Sequence, residues 1–98
     1  MKYFIAESVM NDPLPATPQQ MKDIYVPAHE AHLHEGIAAG MLLMGGPSAT
    51  GGFLILRAES REALDAFLAR DPFQTNGLNR FIVKEFDPRD RAEMVKDW

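Results

Sequence analysis

The chain has 98 residues, 46% of them apolar, with no cysteine and 10 basic residues against 14 acidic ones. That length and apolar content predict one domain over residues 1–98 with a core of its own. The lack of cysteine excludes disulfides and thiolate metal sites, the scattered basic residues argue against nucleic acid as a partner, and no apolar run reaches the length of a membrane span.

The opening MKYFIAES is too short for a signal-peptide core, so a cytoplasmic setting is expected. Residues 2–9, KYFIAESV, read as a strand with Lys2, Phe4, Ala6 and Ser8 on one face and Tyr3, Ile5, Glu7 and Val9 on the other. The loop NDPLPATP follows and ends in a helix start: Thr17 as cap, Pro18 in the first position, Gln20 as capping-box partner. Helical pattern then runs to about Ala39. Pro27 predicts a break or kink, with the main helix from about Pro27 to a stop at Gly40. MLLMGG (41–46) and GFLILRAE (52–59) are strand-like and suggest an antiparallel hairpin with a wide connection through PSATGG. Ser60 caps the amphipathic helix REALDAFLAR, whose Leu64, Phe67 and Leu68 share a stripe, and Asp71-Pro72 ends it. DPFQTNGLN is a loop with room for one helical turn, and RFIVKEFD is the last strand. The charged tail, about 88–98, is loosely helical, with Trp98 able to dock on the body.

The order strand, helix, strand, strand, helix, strand predicts an α+β, ferredoxin-like βαββαβ fold: a four-stranded antiparallel sheet with both helices on one face. Apolar side chains lie on both faces of these strands, through Phe4 and Ile5, Leu54 and Ile55, and Phe81 and Ile82. Two helices cover one face only. A second copy packed on the other sheet face is therefore expected, giving a homodimer.

PAH at 27–29, Gly40, LLMGGP at 42–47 and DPF at 71–73, in this order and spacing, resemble the YCII-related family of small dimeric α+β barrel proteins. The resemblance runs from KYFI to FIVKEFDP. It implies an active site centred on a histidine and an aspartate, matching His29 and Asp71 here, and links a few relatives to transformations of small aromatic or lactone-like compounds such as dehydrochlorination. Many members carry an arginine three residues before the histidine, where this chain has Val26. An anionic group held by that arginine would have no such partner here.

Three histidines fall between residues 29 and 34. On a helix from Pro27, His29 shares a face with Leu33, Ile37 and Gly40, the side expected to meet the sheet. In the first turn the dipole of the helix opposes a charge on His29, while the Asp71 carboxylate favours it, a balance suited to acid/base work. The alternative is a core histidine tied to a carboxylate for structure alone. His32 and His34 read as polar residues on a solvated or rim-exposed surface, His32 being near enough to the site to count as a substrate-binding candidate. HEAHLHE is not HExxH, so no metal is expected.

GGPSATGG lacks the lysine of a phosphate loop and precedes a strand. It is either a plain hairpin loop or, through Gly46 and Pro47, part of a ligand pocket with amides for a developing oxyanion. Phe73 belongs beside Asp71, and Tyr3, Tyr25, Phe53 and Phe81 are further candidates to wall an aromatic ligand. Ser8 and Ser48 have no base at fixed spacing, and nothing in the chain asks for a cofactor. Two functions remain: an acid/base enzyme of lyase or isomerase type acting on a small organic molecule, or a non-catalytic dimeric small-ligand-binding or accessory module.

Overall fold

Strand β1 (Lys2–Met10) lies inside the sheet because both its edges find antiparallel partners. In the computed structural model, which describes residues 1–98, it is flanked by β3 (Gly51–Ala58) and β4 (Asn79–Phe86), with β2 (Leu42–Ser48) beyond β3 in the order β2-β3-β1-β4. This is the ferredoxin-like arrangement expected. Period-two alternation puts Phe4, Ala6 and Ser8 on the helix side, where all three are buried. Leu54, Leu56 and Ala58 of β3 join them, and α3 (Arg61–Ala69) adds Leu64, Phe67 and Leu68 to the same core. Ser60 caps α3 by accepting from the Ala63 amide at 3.1 Å.

The first helical run departs from expectation. The capping box forms as read: Thr17 Oγ1 accepts from the Gln20 amide, and Gln20 Oε1 accepts from the Thr17 amide. After α1 (Pro18–Gln20), however, the chain neither breaks nor stops before Pro27. A π-helical turn over Met21–Tyr25 leads directly into α2 (Val26–Ala38). Pro27 has no amide to donate, and the wider turn before it, in which the Val26 N–H reaches Met21 O, lets the helix continue around that gap. At the far end Gly40 has φ +74°, a left-handed conformation that favours glycine, and the Met41 amide reaches back to Gly36 O at 2.9 Å to close the helix.

The hairpin also differs. Its connection is not wide: β2 and β3 extend through the glycines and pair Pro47 with Gly52 and Ser48 with Gly51, leaving only Ala49 and Thr50 at the tip. Pro47 is compatible with this because β2 is an edge strand. A Cβ on Gly51 would fall 1.8 Å from Ser8 O, so the absence of a side chain there is what allows the strand to pass.

On the far face of the sheet, register aligns Tyr3, Ile5 and Glu7 with Arg57, Ile55 and Phe53. The tail folds over one end of this face. Tyr3 Oη and Arg57 Nη1 both donate to Trp98 O, at 2.7 and 2.6 Å, and the Arg57 guanidinium lies 4.7 Å from the Trp98 ring centroid. The tail carries one 3₁₀ turn, Glu93–Val95. Ile5, Phe53 and Ile82 stay exposed on this face.

Candidate active site

Asp71 is set by the loop that follows α3. It caps α4 (Pro72–Thr75), its Oδ1 accepting from the Phe73 amide at 2.9 Å. The same carboxylate meets His29 across 42 residues of sequence: Nδ1 lies 2.9 Å from Oδ1 and 2.9 Å from Oδ2. Asp71 is 1% exposed and the His29 side chain 15%. A carboxylate can only accept, so Nδ1 carries a proton and donates; in the neutral ring this assigns the tautomer with the lone pair on Nε2. Phe73 then stacks on the imidazole, with centroids 3.9 Å apart and planes within 4°. The DPF triplet thus supplies an acceptor for one edge of the ring and a flat support for one face.

His29 lines a cavity of about 340 Å³ between α2, the end of β1 and the β2–β3 hairpin. Helix α2 also contributes Val26, Glu30 and Leu33, and Phe73 closes one side. The hairpin contributes Gly46 and Pro47, and β1 contributes Ser8 and Met10. Of the residues singled out in the sequence, His29, Gly46, Pro47, Phe53 and Phe73 are brought together here, with Asp71 behind the imidazole.

Three expectations need correction. His32 is neither solvated nor at the rim of the cavity. It is 7% exposed, its Nε2 lies 2.8 Å from Phe67 O, and its ring stacks on Phe67. Phe67 from α3 presses on α2 so that His32, Leu33 and Gly36 are buried, while Ile37 is exposed. Tyr3, Tyr25 and Phe81 do not line the cavity; Tyr3 is on the far side of the sheet with Trp98. And His29 is not at a free helix start: the helical run begins at Pro18, and the Val26 amide ahead of it already reaches Met21 O, so the dipole argument lapses. His34 is exposed as expected and sits 3.9 Å from Glu30. The three imidazoles diverge, and no three His, Asp or Glu side chains converge as metal ligands.

Ser8, set aside in the sequence for want of a base at fixed spacing, also lines the cavity. It is 7% exposed, and its Oγ accepts from Asn79 Nδ2 at 2.7 Å. Its place on the helix-facing side of β1 was legible; its partner, 71 residues away, was not.

A family model for the YCII-related domain matches residues 1–87. The fold is similar to 5-chloro-2-hydroxyhydroquinone dehydrochlorinase from Burkholderia phenoliruptrix, solved in complex with 2,5-dihydroxybenzoquinone, at 30% identity and a TM-score of 0.68 over 87% of this chain and 93% of that one. It is also similar to an antibiotic biosynthesis monooxygenase at 19% identity and a TM-score of 0.55, over 92% of this chain and 100% of that one, a likeness of fold alone. A comparison with curated protein sequences gave no match. No helix is long and apolar enough to cross a membrane.

Proposed function

The chain belongs to the YCII-related family, and on that footing we propose that it is a small enzyme of lyase or isomerase type, with His29 as general acid/base and Asp71 as its orienting partner. The observation that carries this reading is the imidazole held at Nδ1 by a buried carboxylate while lining a cavity. Phe73 covers one ring face and Asp71 holds one edge, so Nε2 is the nitrogen left to exchange a proton with a ligand. As Nε2 takes a proton from a hydroxyl or carbon acid, the ring becomes an imidazolium whose charge faces Asp71. The same proton is then returned at another atom, or leaves with a departing anion, according to whether the net reaction is isomerisation or elimination.

The similar dehydrochlorinase makes chlorinated hydroxyhydroquinones the first compounds to offer. The assay is chloride release from 5-chloro-2-hydroxyhydroquinone under argon, with the wild-type chain and with His29→Ala. Release by the wild type that falls to the uncatalysed rate in the variant supports the reading. Equal rates in the two overturn His29 as the acid/base. Ligand binding without any release favours the second reading, a small-ligand-binding module built on the same cavity.

The sheet face left exposed at Ile5, Phe53 and Ile82 is the surface through which a second copy packs in this proposal. The tail covers only the end of that face near Tyr3.

A further inference from the structure

Ser8 and Asn79 form a buried polar pair where the neighbouring helix-facing positions of β1 are Phe4 and Ala6. The pair is incompletely satisfied. Asn79 is 3% exposed, its Nδ2 donates to Ser8 Oγ, and its Oδ1 has no partner. An apolar residue at position 8 would continue the core without that penalty, since a buried polar atom without a partner is unfavourable. A serine hydroxyl both accepts and donates. With a lone pair taken by the Asn79 amide, its own proton is the part still to be used, and Ser8 lines the same cavity as His29.

The charges around that cavity narrow what can meet this proton. Its side chains include His29 and the carboxylate of Glu30, and no lysine or arginine. A carboxylate or phosphate group brought inside would lose water and find no lysine or arginine, and a charge on His29 is already faced by Asp71.

We propose that Ser8, held by Asn79, anchors the ligand by donating a hydrogen bond to a neutral oxygen of it, a ring hydroxyl or carbonyl, and that the site selects uncharged cyclic compounds over their carboxylated counterparts. This rests on the cavity being the ligand site, as in the function proposed above, but not on any reaction taking place there. Ser8 is here a specificity-determining residue at a second polar pole of the cavity; His29 is the first.

The test is equilibrium binding followed by NMR, with hydroquinone and 2,5-dihydroxybenzoate as probes, under argon at neutral pH. The wild-type chain is expected to bind hydroquinone saturably and at least tenfold more tightly than the carboxylated probe. Ser8→Ala should weaken hydroquinone at least tenfold, and Ser8→Thr, which keeps the hydroxyl, should restore most of the loss. The double variant Ser8→Ala/Asn79→Leu removes both polar partners together, so it leaves no side-chain amide stranded and is the form expected to fold if Ser8→Ala alone does not. It should also bind at least tenfold more weakly. Unchanged hydroquinone affinity in the serine-to-alanine chains overturns the anchoring role. Equal affinity for the two probes, or no saturable hydroquinone binding by the wild type, overturns the proposed ligand class. Because binding is read rather than turnover, a wild-type chain that binds hydroquinone as expected but never turns over a substrate fails only the proposed reaction and leaves this inference standing.

Discussion

His29, Asp71 and Phe73 work as a unit because two of them are neighbours in sequence and the third arrives from another helix. Asp71 Oδ1 is shared between the Phe73 amide and His29 Nδ1, so one carboxylate caps a short helix and orients an imidazole. The two jobs can be separated. Asp71→Asn retains an oxygen for the Phe73 amide but offers the imidazole no negative charge. It is expected to leave the unfolding midpoint nearly unchanged while slowing proton transfer by about 10²–10⁴-fold, the usual contribution of a positioned acid/base. Chloride-release kinetics and a denaturant titration on the same sample check both halves. Asp71→Ala removes the cap as well and is expected to cost about 0.5–2 kcal/mol of stability. The aspartate was picked out in the sequence through family resemblance and its place at the end of the second main helix. No spacing rule could pair it with His29 across 42 residues. His32 shows the opposite failure. Its position on the helix was readable, but its burial depends on Phe67 of a different helix.

Helices and strands were largely legible because their signals are local. The Thr17 and Ser60 caps, the Gly40 stop and the Asp71-Pro72 boundary each act within a few residues, and each formed. Pro27 was read correctly as an obstacle, yet the chain passes it with a π turn, since α2 is held by its packing on α4, β2 and Phe67 as well as by its own amides. The helix contact at Gly36 is close: an added Cβ would lie 2.6 Å from Phe67 Cζ. Gly36→Val is therefore expected to destabilise the fold by about 1–3 kcal/mol through overpacking, measurable as a lower denaturant midpoint with an unchanged slope. The tail offers a separate readout because Trp98 is the single tryptophan. Arg57 links Gly40 O to Trp98 O and lies over the indole. Arg57→Ala should shift Trp98 emission to the red and raise its quenching by acrylamide. An unchanged spectrum would mean that Tyr3 and the apolar contacts hold the tail without Arg57.

For the whole molecule, the decisive imbalance is a sheet with apolar residues on both faces and helices on one. Ile5, Phe53 and Ile82 remain 37%, 45% and 42% exposed in one chain, and a surface of this kind is suited to association. Sedimentation equilibrium is expected to give twice the 11.0 kDa chain mass, and Ile5→Glu to give the single-chain mass with the far-ultraviolet circular dichroism preserved. A wild-type chain that stays single at high concentration would overturn the second-copy reading. Sequence by itself determined the order of elements, their caps and the alternation that divides each strand between two faces. These follow from steric and hydrogen-bonding preferences spanning about four residues, and from a side-chain period of two or 3.6. Together with the rule that helices must cover an apolar sheet face, they lead to a ferredoxin-like fold. Tertiary structure alone decided that His32 is packed away on Phe67, how tightly the hairpin closes, and that Ser8 meets Asn79. Those outcomes depend on the rotation of a helix against its neighbours and on strand registers joining residues far apart in the chain, and no local preference encodes them.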